Sequence, residues 1–280
     1  MRAGNEEGPR PAGQPPHHPY DATMSEQSSI LAVAVGNTRT RFGVFSGNEL
    51  QGSTSVANAS VDEVVKALQQ SELPGERSAI VIASVNDPVA LAIEAGLDNG
   101  PLGRVESYRF GRDLPIPIVN TLEDDSTVGQ DRLLVALGAY ARASQACVVV
   151  DAGTAITVDF VDGEGVFQGG AILPGLQMML DAMASRTAAL PALKFQPPSP
   201  EEPFGKDTRR AMLLGVASAA RGAVMVLLER YAEAYEAYPQ VIATGGDAAA
   251  LFEGDGIVEH IAPDLQLVGI REACRRVLET

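Results

Sequence analysis

Two short turns carry the polar atoms best suited to chemistry. Gly36-Asn37-Thr38 follows the apolar run Leu31–Val35, and Asp151-Ala152-Gly153-Thr154 follows the apolar run Ala146–Val150. Backbone N–H groups in such turns form a concavity that receives an anion, and the side chains of Asn37, Thr38 and Thr154 add hydrogen bonds without adding negative charge. Taken singly, each is equally a plain hairpin turn. Facing each other across a cleft, the pair would grip the two ends of a triphosphate. A third element, Thr127-Val128-Gly129-Gln130-Asp131-Arg132, opens the apolar helix Leu133–Tyr140. A carboxylate and a guanidinium at a helix start put a proton acceptor beside an anion clamp, where backbone N–H groups are also free. The alternative is structural, with Asp131 serving the helix N-terminus and Arg132 forming an ion pair.

The elements that must position these groups alternate between strand and helix. Leu31–Val35 and Arg41–Phe45 read as β-strands, and Ser46-Gly47-Asn48 supplies turn chemistry. Ser60 and Glu63 have the spacing of a capping box, with Val61, Val64, Val65 and Leu68 following at helical intervals. Ala79–Val85 reads as a buried strand, Asp87-Pro88 as a helix start and Val105–Phe110 as a strand. The second half repeats the plan: strand Ala146–Val150, polar turn, strand Ala155–Val161, hairpin turn Asp162–Gly165, strand Val166–Gly169. That repetition points to an internal duplication, with a tail over 1–28, one lobe over 29–145 and a second over 146–280. A long helix is expected from about Thr208 to Tyr238. Its Gly215 and Gly222 lie seven apart on one face, and each costs about 1 kcal/mol relative to alanine, which points to close packing within the chain or between subunits.

Composition narrows the function classes. The chain has 280 residues, 45% of them hydrophobic, enough for a large core or two ordinary ones. Its 36 acidic and 21 basic residues give a net charge of −15, which repels nucleic acid and anionic membrane. Small phosphorylated ligands stay compatible, because a local N–H concavity holds an anion against an adverse global field. Two cysteines, Cys147 and Cys274, form no Cys-x-x-Cys and fit a reducing cytoplasm. His17 and His18 lie in the tail, and His260 sits in an apolar stretch as a surface or core residue. Residues 1–28 are rich in Pro, Gly, Glu and His and are expected to be disordered, and Met24 is an alternative start. No run of roughly 20 apolar residues suggests a membrane span.

Six motifs in order resemble type III pantothenate kinases: Gly36-Asn37-Thr38; Gly129-Gln130-Asp131-Arg132; Asp151-Ala152-Gly153-Thr154-Ala155; Gly169-Gly170-Ala171-Ile172-Leu173-Pro174-Gly175; Gly205-Lys206-Asp207-Thr208; and Thr244-Gly245-Gly246. The resemblance runs from about Leu31 to Ile270. It implies an α/β fold of two duplicated actin-like, ribonuclease H-like lobes, with mixed β-sheets flanked by helices and a nucleotide cleft between them. It implies transfer of the ATP γ-phosphoryl group to the hydroxyl of pantothenate, the first step toward coenzyme A. By the same resemblance Asp131 is the general base, and Gly129, Gln130, Asp131, Arg132 and Thr208 meet pantothenate. ATP contacts fall on Ala34, Val35, Gly36, Asn37, Thr38, Arg39, Thr40, Arg41 and Thr154. Asp151 holds a monovalent cation, K⁺ or NH₄⁺, beside the Mg²⁺ that accompanies ATP. A homodimer in the cytoplasm is implied as well.

The family's first loop reads Asp-x-Gly-Asn-Thr, and here the aspartate position holds Ala34. Mg²⁺ keeps several waters and binds phosphates, so one outcome is an active kinase with weaker metal binding. The other is a ligand-binding relative that no longer turns over; a kinase or phosphatase of another small substrate is a third reading. Asp159 and Asp247, acidic and near the turns, are candidates to replace the missing Mg²⁺ ligand but are expected as ordinary solvated carboxylates, and Lys206 serves either a phosphate or a loop.

Overall fold

The computed structural model describes residues 28–74 and 77–278. The expectations for the tail, Met24, His17 and His18 lie outside the described residues, and Ser28 opens the first strand.

Two five-stranded sheets share one topology. In the first, β1 (Ser28–Val35) pairs antiparallel with β2 (Arg39–Ser46), which pairs antiparallel with β3 (Glu49–Ala57). On its other side β1 pairs in parallel with β4 (Arg77–Ser84), and β4 with β5 (Glu106–Arg109). The second sheet repeats this with β6 (Cys147–Ala152) antiparallel to β7 (Ala155–Val161), and β7 antiparallel to β8 (Phe167–Pro174). Its parallel side is β9 (Gln240–Thr244) and the short β10 (His260–Ile261). The duplication inferred from the repeated strand-turn-strand pattern is therefore present in the sheet order, β3-β2-β1-β4-β5 against β8-β7-β6-β9-β10.

Helices fill three layers around these sheets. The outer face of the first sheet is covered by α1 (Val61–Gln69) and α2 (Asp87–Asp98), which bury Val64, Leu68, Ala90, Ile93 and Leu97 against Leu31, Val33 and Val35. Between the sheets lie α3 (Gln130–Ala143) and α7 (Leu265–Leu278), packed against each other and against Ile30, Ala32, Ala34, Cys147 and Val149. The outer face of the second sheet carries α4 (Leu176–Arg186), α5 (Thr208–Tyr235) and α6 (Ala248–Phe252) over Val148, Val150 and Ala152. Period-2 alternation explains the division: in β1 and β6 alike, successive side chains enter different cores, so the runs Ile30–Val35 and Cys147–Val150 are apolar on both faces.

Local chemistry sets the boundaries. The Ser60 hydroxyl caps α1 by accepting from the Glu63 N–H at 3.4 Å, and Asn86 caps α2 through the Val89 N–H at 3.4 Å. Some expectations shift. Strand β8 continues past Gly169 to Pro174, because its ladder with β7 persists to Ala155. Asp151 and Ala152 are the last residues of β6, because their ladder with β7 persists to Ile156. The long helix stops at Tyr235, where Glu236 takes φ 58° as a left-handed cap. Gly215 and Gly222 have open space around them, so close packing inside the chain does not account for them. Counting contiguous apolar residues also missed that α5 is long and apolar enough, by length and composition alone, to cross a membrane. In this fold one face of it packs on the second sheet, with Met212, Leu213, Val216, Ala217, Ala220 and Val224 buried there.

Candidate functional site

The duplicated topology brings the ends of β1 and β6 to one place. Each central strand runs into its glycine turn, and the turns touch: Thr38 Oγ1 and Thr154 Oγ1 are 2.9 Å apart in a hydrogen bond. Behind the first turn, the Gly36 N–H donates to the Arg39 carbonyl at 3.0 Å. Asn58, at the end of β3, braces it by donating to the Gly36 carbonyl and accepting from Thr40 Oγ1, both at 2.8 Å. Behind the second turn, the Gly153 N–H donates to the Ala155 carbonyl at 3.0 Å and the Gly175 N–H to the Thr154 carbonyl at 3.1 Å. The loop after β9 closes this corner, with the Asp247 N–H donating to the Ala152 carbonyl at 3.0 Å. Gly245 sits there at φ +93°, where an added Cβ would stand 2.4 Å from the Ala152 carbonyl oxygen and 2.5 Å from Asp151 Oδ1.

Within the Ala34–Arg41 segment, exposure separates two groups. Ala34, Val35 and Thr40 are buried, whereas Asn37, Thr38 and Arg39 are exposed. Arg39 turns along the sheet to Ser55, donating to its hydroxyl and its carbonyl at 3.0 Å each. Arg41 stands opposite Ala34 in the β1–β2 register and pairs with Asp264, just before α7, at 2.8 Å. Ala34 and Asp151 occupy matching places, each two residues before its turn glycine and each on the strand face directed between the sheets.

The first turn of α3 supplies the acid-base group. Gly129 is its N-cap and offers no side chain, so Asp131 takes up the role locally: its Oδ1 accepts from the Arg132 backbone N–H at 2.9 Å. Burial pushes the Asp131 carboxyl above the usual carboxylate range, against the opposing pull of that N–H and of the Arg132 charge. Gln130 donates to the Phe110 carbonyl at 3.1 Å and fastens α3 to the end of β5. The Arg132 guanidinium is held by Asp159 on β7, through Nε at 3.1 and 3.2 Å and through Nη2 at 2.5 Å. It also lies 5.6 Å from the centre of the Phe167 ring. Asp159 is only 2% exposed, so it is not the solvated carboxylate expected from an acidic residue near the turns.

Asp151 carries the strongest electrostatic perturbation of the three aspartates. Burial, reinforced by the negative charges of Asp131 and Asp159, pushes it up to about 7, with Arg41 opposing. Excess negative charge at one partly accessible carboxylate is a site that gains from a cation. Among the described residues there is no group of three or more acidic, histidine or cysteine side chains arranged to hold a metal. A cation at this corner would find one protein carboxylate, that of Asp151. Asp247 is raised by burial, and its backbone, through the Ala152 carbonyl, does the visible structural work.

The structure thus gathers Gly36–Thr38, Gly129–Arg132, Asp151 and Thr154 at one end of the two sheets. Thr208 is exposed in the first turn of α5, beside its N-cap Asp207, and no hydrogen bond joins it to Gly129–Arg132. Sequence reading missed Asn58, Asp264 and the burial of Asp159. The signal for Asp159 was its alternation with Thr157 in Ala155–Val161, which assigns both to one sheet face.

The sequence matches the family model for type III pantothenate kinase over residues 30–230. A type III pantothenate kinase of Rubrobacter xylanophilus is 32% identical over 256 residues, covering 86% of this chain and 96% of that protein. One of Rhodopirellula baltica is 42% identical over 198 residues, covering 68% of this chain and 69% of that protein. Among solved structures, a Campylobacter jejuni protein described as a Baf family transcriptional activator superposes with a TM-score of 0.54 at 20% identity. It covers 89% of this chain and 100% of that one, a likeness of fold.

Proposed function

This chain belongs to the type III pantothenate kinase family, and on that premise we propose how its cleft phosphorylates pantothenate to 4′-phosphopantothenate with ATP, the first step of coenzyme A biosynthesis. The observation that carries the reading is the meeting of the two glycine turns at Thr38 and Thr154, 2.9 Å apart, at the cleft end that also gathers Asp131 and Asp151.

In this reading the turn N–H groups with Asn37, Thr38 and Thr154 receive the phosphates, and the Thr38–Thr154 hydrogen bond gives way to bonds with phosphate oxygens. Phosphoryl transfer asks for alignment and charge neutralisation, with one carboxylate to accept the hydroxyl proton. Asp131 is that acceptor: the Arg132 N–H fixes one of its oxygens and leaves the other for the hydroxyl. Its raised pKa makes it a better proton acceptor than an ordinary carboxylate. Mg²⁺ entering with ATP would supply charge neutralisation at the phosphates, and Asp151 would hold a monovalent cation. Alanine at position 34 offers no carboxylate to the Mg²⁺, which would depend on ATP for its anchoring. Thr208 and the Gly129–Arg132 segment contact pantothenate.

The chain acts as a homodimer in this reading, supported by α5. Gly215, Ser218, Ala219, Gly222, Met225 and Val226 form an exposed stripe of small and apolar residues on that helix, with Met225 46% and Val226 63% exposed. Such a stripe permits close approach of a second helix, and light scattering on the purified protein measures the resulting mass. The activity is tested with purified protein, ATP, Mg²⁺, potassium and pantothenate, detecting 4′-phosphopantothenate by mass. Product that vanishes in Asp131→Ala supports the reading. ATP consumption with pantothenate unchanged transfers the fold to another acceptor.

A further inference from the structure

The Arg132–Asp159 pair has a geometry that a merely structural ion pair does not require. Asp159 approaches the guanidinium from the side, taking the Nε–H and one Nη2–H. A guanidinium has five N–H donors in one plane, so this contact leaves three, two on Nη1 and one on Nη2, along a second edge. No hydrogen bond among the described residues uses Nη1. Three features hold the first edge still. Asp159 is 2% exposed; the Phe167 ring, fully buried, faces the guanidinium carbon at 5.6 Å; and β8 comes close enough that a Cβ at Gly170 would stand 2.4 Å from Asp159 Oδ1 and 2.2 Å from the Val158 carbonyl oxygen. Arg132 also follows Asp131 directly in the chain and is anchored to it through the Oδ1 hydrogen bond. A guanidinium clamped on one edge by a buried carboxylate offers the other edge with its orientation already fixed, which lowers the ordering cost of a second bidentate carboxylate contact.

We propose that Asp159 is a positioning residue for acceptor recognition: it aims the free edge of Arg132 at the carboxylate of the acid substrate. This rests on the pantothenate reading above. Asp159 acts on acceptor recognition through the guanidinium it holds, while its charge also adds to the negative field at Asp151.

The test is Asp159→Asn, which keeps the side-chain size but presents an N–H group to one guanidinium N–H and so opens the fork. Steady-state assays vary pantothenate and ATP separately. Calorimetry compares binding of pantothenate with that of panthenol, in which an alcohol replaces the carboxylate. The expected result is a rise of about tenfold in KM for pantothenate, with kcat and the KM for ATP within about twofold of wild type. The binding preference for pantothenate over panthenol shrinks by the same factor. An unchanged KM for pantothenate overturns the proposal, as does an equal weakening of both ligands. Should the Asn variant fail to fold, Arg132→Lys carries the same test, because one ammonium paired with Asp159 has no second edge; wild-type KM in that variant is equally fatal. A wild-type protein that makes no 4′-phosphopantothenate fails the underlying reading instead, and calorimetry on the two ligands separates that case.

Discussion

Replacing Gly245 by alanine is the sharpest probe of the corner behind Asp151. The residue sits at φ +93°, and its new Cβ would lie 2.4 Å from the Ala152 carbonyl oxygen and 2.5 Å from Asp151 Oδ1. A left-handed backbone costs an L-residue roughly 1–2 kcal/mol. Relieving the overlap adds a comparable amount, because one of the two neighbours is strand backbone at the end of β6, where it also accepts from Asp247. The sum is about 2–4 kcal/mol. At roughly 2–4 °C per kcal/mol for a chain of this size, Tm falls by roughly 5–15 °C. The adjacent Gly246 is the internal control: no atom lies within 4 Å of a Cβ built there, so Gly246→Ala stays within about 0.5 kcal/mol of wild type. Calorimetric or circular-dichroism melts of the three proteins decide the matter. A Gly245→Ala protein that melts with the wild type, or a Gly246→Ala protein that falls as far, refutes the stated geometry of this corner.

Asp131→Asn lowers kcat by about 10²–10⁴-fold without loss of thermal stability, since it removes a carboxylate that burial disfavours; a pre-steady-state product assay with a melt checks both. The base works when ionised, so its raised pKa places the acid limb of the kcat/KM profile above the usual carboxylate range, and a pH-rate profile locates that limb. Ala34→Asp raises the apparent Mg²⁺ affinity in an activity titration, and an unchanged curve removes position 34 from metal binding. For Asp151 the folded pKa, about 7, exceeds the unfolded value near 3.8. The stabilising contribution of protonation is therefore complete below about 3.8 and is lost as pH rises through 7. Urea unfolding without potassium should show wild-type stability falling over that window and Asp151→Asn spared the fall; potassium should narrow the difference.

Local signals carried much of this fold into the sequence. The apolar run Leu31–Val35, the Ser60 cap and the repeated strand-turn-strand pattern each report on neighbours a few residues away, and each corresponds to an observed element. The Gly36–Thr38 and Gly153-Thr154 turns were legible for the same reason, and their approach followed from duplication. Long-range partners were not legible. Asp159 meets Arg132 across 27 positions and Arg41 meets Asp264 across 223, and no local spacing encodes either pair. Helix α5 misled the count of contiguous apolar residues because Arg221 interrupts it. Gly215 and Gly222 pointed to close packing that the protomer does not contain.

The return of α7 to the layer between the sheets has a consequence for synthesis. The helix comes from the far end of the described chain, yet its Leu265, Leu267 and Ile270 share a core with Ile30, Ala32 and Leu134. Chains emerge from the ribosome at about 5–20 residues per second, and units fold as they complete. The first sheet can pair its strands early, but the layer beneath Asp131 lacks half its helices until residues beyond 265 are released. The nascent chain therefore exposes an apolar seam until α7 has been translated, and the cleft acquires its shape only once that helix packs against α3.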